Sequence, residues 1–501
     1  MSTHSHYLAI DLGAESGRVM LGTLWEGRLT LEELHRFSNG AVVINGSRRW
    51  DLLHLYAEIV NGLRKAGARE LPIRSLSTDS WGVDYVLTKG SEPFLSAPYQ
   101  YRDERTDGTY ERLGEVTREE IYAATGIQFM TINTLCQLHT DLLERPEILA
   151  FADRFLLIGD TINHLLGGEP VAEASLASTT QLYNPANHDW AWPLIEHLGL
   201  PKDIFPNVVP SGAVIGALTP ELQSETRLGP VKVVATCSHD TGAAVAAVPA
   251  SNEEGWAYLS SGTWSLLGVE SKTPVLTEAA RQLNFTNEVG YNGSIRLLKN
   301  IAGLWILQEC MRFWRESGHD HTYGDLVELS LEAPALVSLI NPGDPRFLRS
   351  GGTAASGGMP ARIAEFCTET GQPVPQNTGA NAVGALARCI LESLSLLYRK
   401  TLGELEQLTG KQINRLHIVG GGTRNDLLNQ CAANATGRPV ITGPIEATAA
   451  GNILIQAIAC GSVASLDEAR QIVARSFPQN SYTPQDMTVW NGAYSRFLTL
   501  P

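Results

Sequence analysis

The segment YLAIDLGAESGRVMLGTLWEGRLTLEELHRF, residues 7–37, decides the fold, because its pattern predicts three consecutive strands. The strands cover residues 7–11, 18–24 and 28–37, joined by a small-residue turn at 12–17 and a tight turn at 25–27. A glycine turn between two strands excludes the P-loop and the Rossmann loop, since both require a helix after their glycines. The segment therefore predicts a β-meander with a glycine-containing first turn.

This first turn has two interpretations. Its backbone N–H groups could bind phosphate, with Asp11 at the strand end facing Mg²⁺ or the water molecules around it. Alternatively, the segment is a tight hairpin with an incidental aspartate. These residues alone leave both interpretations open.

The meander is followed by strand–helix alternation. Asp51 can cap a helix that ends at Gly67, and a strand over residues 73–78 comes next. A second region with the same pattern starts near Trp256, and 501 residues exceed the roughly 250–300 at which a single core stops growing. We predict two α/β domains with mixed sheets, residues 1–249 and 250–501.

Composition narrows the function classes. A formal charge of −15 makes nucleic acid an improbable partner, and no apolar run approaches the roughly 18 residues of a membrane span. The first residues lack the features of a secretory signal. Seven scattered cysteines without metal-binding spacing favour free thiols and a cytoplasmic location.

The second half contains two further small-residue turns. Residues 259–265, LSSGTWS, form a hydroxyl-rich turn between predicted strands, and residues 419–425, VGGGTRN, join a strand to a helix. Without side chains, glycines such as Gly421 could let a flat ligand such as adenine lie against the backbone. Simple turn formation and tight strand–helix packing are the alternatives. Residues 443–451 predict a turn into a small-residue helix, which we expect behind this nucleotide site.

The sequence CSHDTG at residues 237–242 follows a predicted strand and precedes a small-residue helix. A carboxylate there lies where open α/β sheets bind ligands, so Asp240 is a candidate base for a hydroxyl group, with a helix N-cap as the alternative. A Ser238–His239–Asp240 hydrolase triad is excluded, because sequence neighbours cannot adopt the relay geometry. The residue type and position of His239 favour a packed or capping role.

Together these motifs resemble one family of sugar kinases, which includes glycerol kinase, xylulokinase, fuculokinase and rhamnulokinase. The rhamnulokinase branch is the most similar. The resemblance covers nearly the whole chain and rests on DLGA and SGR at residues 11–14 and 16–18, WGVD at 81–84, YRD at 101–103, GIQF at 126–129, SHDT at 238–241, LSSGTWS at 259–265 and KNI running on to GLW at 299–305. It implies two actin/hexokinase-like (ribonuclease H-like) domains, with mixed sheets flanked by helices and an active-site cleft between them.

The resemblance also implies a site. ATP and Mg²⁺ are the expected cofactors, with the ATP phosphates at Ala14, Glu15, Ser16, Gly17, Arg18 and Thr263 and the rest of the nucleotide at Gln308 and Gly421. The expected sugar contacts are Gly82, His239, Asp240, Thr241 and Asn300. Asp240 is the expected proton acceptor, and Asp11 is expected to hold the metal, through water or directly.

The implied reaction is ATP-dependent phosphorylation of L-rhamnulose at O1, in L-rhamnose catabolism. A kinase of L-fuculose, D-xylulose or L-ribulose and a non-kinase ATPase of the actin-like fold are the alternatives. We expect no nucleic-acid or membrane partner, and either a monomer or a homodimer. Two features depart from the family pattern: Glu15 in the phosphate turn, and Gly-, Ser- and Asn-rich segments at residues 350–358 and 376–380.

Overall fold

The structure is a computed structural model that describes residues 4–90, 92–250, 254–348, 357–375 and 380–501. The glycine-rich segments noted above therefore lie largely outside the described residues, at 350–356 and 376–379. Within the described ranges, each helix is too short or too polar to traverse a bilayer.

The chain forms two compact units. The first combines Met1–Ser251 with Glu270–Leu297 and Glu446–Phe477, and the second combines Asn252–Val269, Leu298–Ile445 and Pro478–Pro501. Each unit is therefore assembled from segments that are distant in sequence. The division of the domains between residues 249 and 250 stays a prediction.

The first unit contains the predicted meander. Its strands Ser5–Leu12, Ser16–Trp25 and Arg28–Ser38 are antiparallel, and the register places Asp11 opposite Arg18. The strand Ile73–Ser80 pairs in parallel with Ser5–Leu12 and places Asp79 beside Asp11. Lys232–Ala235 (parallel) and Ala213–Ala217 (antiparallel) complete the six-stranded sheet. The predicted mixed sheet is confirmed.

Helices cover this sheet. Leu52–Gly67 begins at Asp51, whose side chain accepts a hydrogen bond from the backbone N–H of His54, as predicted. Its buried face packs into a core made by the sheet, which includes Leu8, Ile10 and Val19. The close approach at Gly67 leaves no room for a side chain, since a Cβ would lie 1.7 Å from the Thr226 carbonyl oxygen.

The helix Ala447–Ala459 also belongs to the first unit, although it follows the strands of the second unit in sequence. It packs on the helix Asp240–Ala246, where a Cβ on Gly451 would lie 1.8 Å from the Ala243 carbonyl oxygen. We expected this segment behind the nucleotide site. It packs against the helix that starts at Asp240, because small residues on both helices allow close contact, and its place behind the nucleotide site stays a prediction.

The remaining elements of the first unit form small sheets and connecting helices. The short strands are Ala41–Ile44, Ser47–Trp50, Tyr85–Thr88, Arg154–Leu157, Ala172–Glu173, Tyr183–Asn184, Asp189–Trp190 and Val208–Val209. The other α-helices are Arg118–Thr125, Thr134–Glu144, Pro146–Phe151, Ile158–Leu165, Ala174–Thr179, Trp192–His197, Pro220–Thr226, Glu278–Gln282 and Leu466–Ser476.

The second unit is built on another mixed sheet. The strands of this sheet follow the spatial order Thr286–Val289, Ile295–Ile301, Ser265–Ser271, Trp256–Ser261, Arg415–Val419, Val440–Thr442 and Ser481–Tyr482. Trp256–Ser261 pairs in parallel with Arg415–Val419, which brings the ends of both strands together at Ser260 and Val419. The α-helices are Trp305–Glu316, Tyr323–Glu332, Pro345–Leu348, Gly358–Glu369, Ala380–Thr409, Asp426–Thr436 and Met487–Phe497.

Candidate functional site

The first part of the candidate site is the turn between the first two strands. The Arg18 guanidinium forms ion pairs with the carboxylates of Asp11 and Glu446. Burial raises the pKa of Asp11, although the Arg18 charge opposes that effect. Glu15 is exposed, and Asn39 fixes the turn by donating to the carbonyl oxygens of Gly13 and Glu15.

A second aspartate lies beside Asp11. Asp79 is fully buried, and the Asn452 side-chain amide donates to its Oδ2 at 2.5 Å. Desolvation raises the pKa of Asp79 well above its usual value, and the Asp11 charge adds to that shift. Sequence reasoning did not connect Asp79 with Asn452, because 373 residues separate them.

The candidate base, Asp240, is the first residue of the helix Asp240–Ala246. The N-cap alternative is wrong, because His239 occupies the N-cap position. The Asp240 carboxylate is 32% exposed, and it accepts hydrogen bonds from the backbone N–H and the hydroxyl of Thr241. It therefore combines access from solvent with a defined orientation.

His239 connects Asp240 to a buried ion pair. Its Nε2 lies 3.4 Å from Asp240 Oδ1, and its Nδ1 lies 3.1 Å from Arg296 Nη2 and 3.3 Å from Glu288 Oε2. Burial acts to raise the pKa of Glu288, but the charge of Arg296 and the contacts with Arg296 and His239 outweigh it and lower that pKa overall. The sequence offered one signal for this pair, the charged Arg296 among the apolar residues of the strand Ile295–Ile301.

The predicted sugar contact Gly82 lies in a tightly held loop, Trp81 to Asp84. The Asp84 carboxylate accepts four hydrogen bonds, from the indole N–H groups of Trp50 (2.7 Å) and Trp81 (3.0 Å), the backbone N–H of Tyr101 (3.1 Å) and the Gln137 side chain (2.8 Å). Burial raises the pKa of Asp84 to about 6 despite these donors.

The same loop contains a strained residue. Val83 has a φ of 67°, which a β-branched residue rarely adopts. Its N–H donates to Thr179 Oγ1 at 3.1 Å, and its carbonyl oxygen accepts from Thr134 Oγ1 at 2.6 Å. A Cβ on Gly82 would lie 2.7 Å from Thr179 Oγ1, so the backbone passes close to that side chain. Asp84 and the two threonines together stabilise this conformation.

In the second unit, the turn containing Thr263 is tied to the start of a helix. The backbone N–H groups of Leu304 and Trp305 donate to the carbonyl oxygens of Gly262 (3.1 Å) and Thr263 (3.0 Å). Gln308 lies in the first turn of that helix, Trp305–Glu316, and donates to the Tyr323 hydroxyl at 3.1 Å. Asn300 is half-buried near the end of the strand Ile295–Ile301.

The three glycines of the second unit have different surroundings. Gly420 has a φ of 88°, and a Cβ on Gly422 would lie 2.0 Å from Ser261 Oγ. Gly421 is exposed, and a Cβ there would meet no other described atom within 4 Å. Gly420 and Gly422 thus serve the close packing that we considered as the alternative, whereas Gly421 leaves space for a ligand.

The structure therefore groups the predicted residues within each unit. The first unit holds Asp11, Gly82, His239, Asp240, Thr241 and residues 14–18, and the Asp240 charge acts on Asp11. The second unit holds Thr263, Asn300, Gln308 and Gly421. The individual roles of these residues stay predictions. Glu446, Glu288, Arg296 and Asn452 are the members that sequence reasoning missed.

Family models cover most of the chain. The N-terminal domain model of the FGGY family of carbohydrate kinases matches residues 6–247, and the C-terminal domain model of the same family matches residues 257–460. The chain belongs to the FGGY family of carbohydrate kinases.

The chain is also similar in sequence and in structure to individual sugar kinases. A rhamnulokinase of Bacteroides thetaiotaomicron is 44% identical over 98% of both chains, and one of Bacillus subtilis is 40% identical over 96% of both. Among solved structures, a gluconate kinase of Lactobacillus acidophilus has a TM-score of 0.80 at 16% identity, covering 99% of this chain and 97% of its own. A xylulose kinase of Rhodospirillum rubrum has a TM-score of 0.78 at 19% identity, covering 99% and 98%. These structures establish the two-domain fold.

The donor set of the FGGY chain fits a hydrated magnesium ion. The charges of Asp240 and Glu446 both act on Asp11, and Arg18 is the cation paired with Asp11 and Glu446. Mg²⁺ keeps most of its water and commonly uses one or two carboxylates together with substrate phosphates. Across the described ranges, no cluster of three or more His, Cys, Asp or Glu side chains forms a complete metal cage. Binding through water and phosphate suits this arrangement.

Proposed function

We propose that this carbohydrate kinase transfers the γ-phosphoryl group of ATP to O1 of L-rhamnulose and forms L-rhamnulose 1-phosphate. The observation that carries the proposal is the similarity to rhamnulokinases of several bacteria, 38–44% identical over 96–98% of this chain. The free cysteine thiols, most of them buried, support a cytoplasmic location as part of the same proposal. L-rhamnose catabolism is the corresponding pathway.

Asp240 is the proposed general base. Its accessible carboxylate accepts the proton of the sugar hydroxyl while O1 forms a bond to the γ-phosphorus and the bond to the β,γ-bridging oxygen of ATP breaks. The hydrogen bonds from Thr241 hold that carboxylate in a fixed orientation. Gly82, His239 and Thr241 of the first unit, and Asn300 of the second, are the proposed sugar contacts.

The proposed phosphate contacts of the first unit are Ala14 to Arg18, and Asp11 is the proposed ligand of the hydrated Mg²⁺. The Arg18 guanidinium lies between two carboxylates, which fixes its position at the turn. When bound, Mg²⁺ neutralises charge on the transferring phosphoryl group. In the second unit, Thr263, Gln308 and the open surface at Gly421 are the proposed nucleotide contacts.

A coupled ADP-release assay tests the substrate assignment. The assay compares L-rhamnulose, L-fuculose, L-ribulose, D-xylulose and glycerol at equal concentrations with Mg²⁺ and ATP. We expect the highest kcat/KM for L-rhamnulose, because a site that hydrogen-bonds one hydroxyl rejects analogues lacking it by roughly 10⁴–10⁵. Equal or faster turnover of L-fuculose or D-xylulose would contradict the substrate assignment and leave the kinase assignment in place.

A further inference from the structure

We propose that Arg296 and Glu288 are positioning residues for the reaction: they hold His239 as the tautomer protonated at Nε2, so that its ring donates toward Asp240. This inference rests on the proposed function, because it concerns the residue that is proposed as the base there. Neither Arg296 nor Glu288 is close enough in sequence to His239 to be part of its motif.

The argument begins with burial. Arg296 is completely buried, Glu288 is 5% exposed and His239 is 7% exposed. A buried guanidinium requires a counter-charge and acceptors for its N–H groups. Glu288 supplies the charge, with its Oε2 at 3.1 Å from Arg296 Nη2.

The N–H groups of Arg296 then determine the tautomer. Nη2 carries two hydrogens, and hydrogen bonds join it to the Val289 carbonyl oxygen at 3.1 Å and to His239 Nδ1 at 3.1 Å. Arginine is a donor only, so an Nδ1 atom that forms this hydrogen bond accepts it. A neutral imidazole that accepts at Nδ1 carries its hydrogen at Nε2.

The Nε2 atom is the ring nitrogen close to the candidate base. Nε2 lies 3.4 Å from Asp240 Oδ1, a distance at which the hydrogen bond can shorten when substrate binds. Backbone contacts fix the histidine itself, since its N–H donates to Ser175 Oγ at 3.0 Å and Ser175 in turn donates to Glu173. The ring therefore lies beside the same oxygen, Oδ1, that Thr241 contacts, and it orients the Asp240 carboxylate without taking up the proton of the sugar.

The other possible arrangement of this cluster is the tautomer of His239 that carries its hydrogen at Nδ1. If Nδ1 carried a hydrogen, it would donate to Glu288 Oε2 at 3.3 Å and would face the Arg296 donor unfavourably. The position of one hydrogen atom thus separates the two arrangements. That position can be measured directly.

The test uses protein labelled with ¹⁵N-histidine, in the full chain and without substrate. A long-range ¹⁵N–¹H spectrum identifies the protonated nitrogen, and His239→Asn assigns the His239 signals by their loss. We expect the pattern of the Nε2–H tautomer. A pattern with hydrogen at Nδ1, or at both nitrogens, would overturn the proposal.

The second measurement uses the double variant Arg296→Met/Glu288→Gln, which removes both charges. Arg296→Met alone would leave Glu288 buried and unpaired, whereas replacing both members of a buried pair is often tolerated. We expect His239 to lose the Nε2–H pattern and kcat to fall roughly 10- to 100-fold with the KM for ATP unchanged, since misplacement by about 1 Å can cost that much. An unchanged tautomer together with unchanged kcat would overturn the proposal.

The matched control is Arg470→Met/Glu270→Gln. That pair also lies in the first unit, and Arg470 contacts the carbonyl oxygen of Val245 on the helix that Asp240 begins, but at its other end. The control variant should retain the His239 spectrum and kcat. The spectrum is recorded without substrate and therefore tests the tautomer independently of the reaction. If His239 carries its hydrogen at Nε2 but the enzyme does not phosphorylate L-rhamnulose, only the proposed function is contradicted.

Discussion

The two units differ in how they build their parts of the candidate site. In the first unit, charged side chains are paired: Arg18 with Asp11 and Glu446, and Arg296 with Glu288 behind His239. In the second unit, the turns at Thr263 and Gly421 are held by backbone hydrogen bonds and by the absence of side chains. Charged side chains can accept protons and orient oxygen atoms, whereas backbone turns without side chains determine the shape of a binding surface. This difference supports the proposal that proton transfer depends on the first unit and that the second unit binds the part of the nucleotide beyond the phosphates held by residues 14–18.

The largest effect should follow from Asp240→Asn in the first unit. The substitution keeps the size of the side chain and removes its basicity, so kcat should fall by roughly 10²–10⁴. The ATP dissociation constant and the melting temperature should change little. Near-normal kcat in a folded variant would remove Asp240 as the base and leave Asp11, Asp79 and Asp84 as candidates.

The second unit can be tested with two neighbouring glycines. Gly421→Val adds methyl groups in open space, so the fold should tolerate it while ATP binds roughly 10- to 100-fold more weakly, the equivalent of about 1–3 kcal/mol of overpacking. Gly422→Val is the matched comparison, because its Cβ would overlap Ser261 and lower the melting temperature. Calorimetry with ATP measures the first effect. Unchanged ATP affinity in Gly421→Val would place the nucleotide elsewhere.

Asp84 makes the first unit sensitive to pH. Its pKa is about 6 in the folded chain against 3.8 as a reference, so the folded state binds more protons between pH 4 and 6. The contribution of Asp84 to the free energy of unfolding should therefore fall as pH rises through this range, by at most about 3 kcal/mol. Urea unfolding of the natural chain and of Asp84→Asn at pH 4.5 and 7 measures the difference.

A control for this pH effect is Asp153→Asn. Hydrogen bonds from Lys89 and Gly90 lower the pKa of Asp153, so its stabilisation is present above the reference pKa and is lost as pH falls. Both pH 4.5 and pH 7 lie above the reference pKa of 3.8, so the effect of Asp153→Asn on the free energy of unfolding should be nearly the same at the two pH values, whereas that of Asp84→Asn should change. The quantity compared is the free energy of unfolding of the natural chain minus that of Asp84→Asn. If this difference stays constant with pH, or increases as pH rises, the assignment for Asp84 is contradicted.

The smallest effect should come from Glu15→Ala. Glu15 departs from the family pattern in the proposed phosphate turn, but its side chain is exposed. Its backbone carbonyl oxygen accepts a hydrogen bond from the Asn39 N–H, and the substitution retains that bond. We expect kcat and the KM for ATP to stay within about twofold, as for a surface substitution worth under ~0.5 kcal/mol. A larger gain in kcat would show that the carboxylate opposes phosphate binding.

Local patterns in the sequence predicted the elements well. The meander, the helix that starts after Asp51, the strand Val440–Thr442 and the helix that starts after Asn425 all depend on residues close to one another in sequence. Turn residues, caps and strand periodicity carry that information. The family resemblance then supplied the order of the motifs and the two-domain architecture.

Contacts between distant segments could not be predicted in the same way. The helix Ala447–Ala459 packs against Asp240–Ala246, a segment far earlier in the chain, and brings Asn452 to Asp79. Glu446 reaches Arg18, and Arg296 reaches His239, only through such packing. A buried charge in an apolar strand signals that a partner exists, but the partner's identity depends on the fold.

The most direct test of the central claim is the position of phosphate on the product. After the enzyme has consumed L-rhamnulose, Mg²⁺ and ATP, a ³¹P–¹H correlation spectrum identifies the carbon that carries the new ester. The account predicts one sugar phosphate, with its phosphorus coupled to the two protons at C1, and ADP in equal amount. Phosphate on another carbon, or release of inorganic phosphate without a sugar ester, would contradict it.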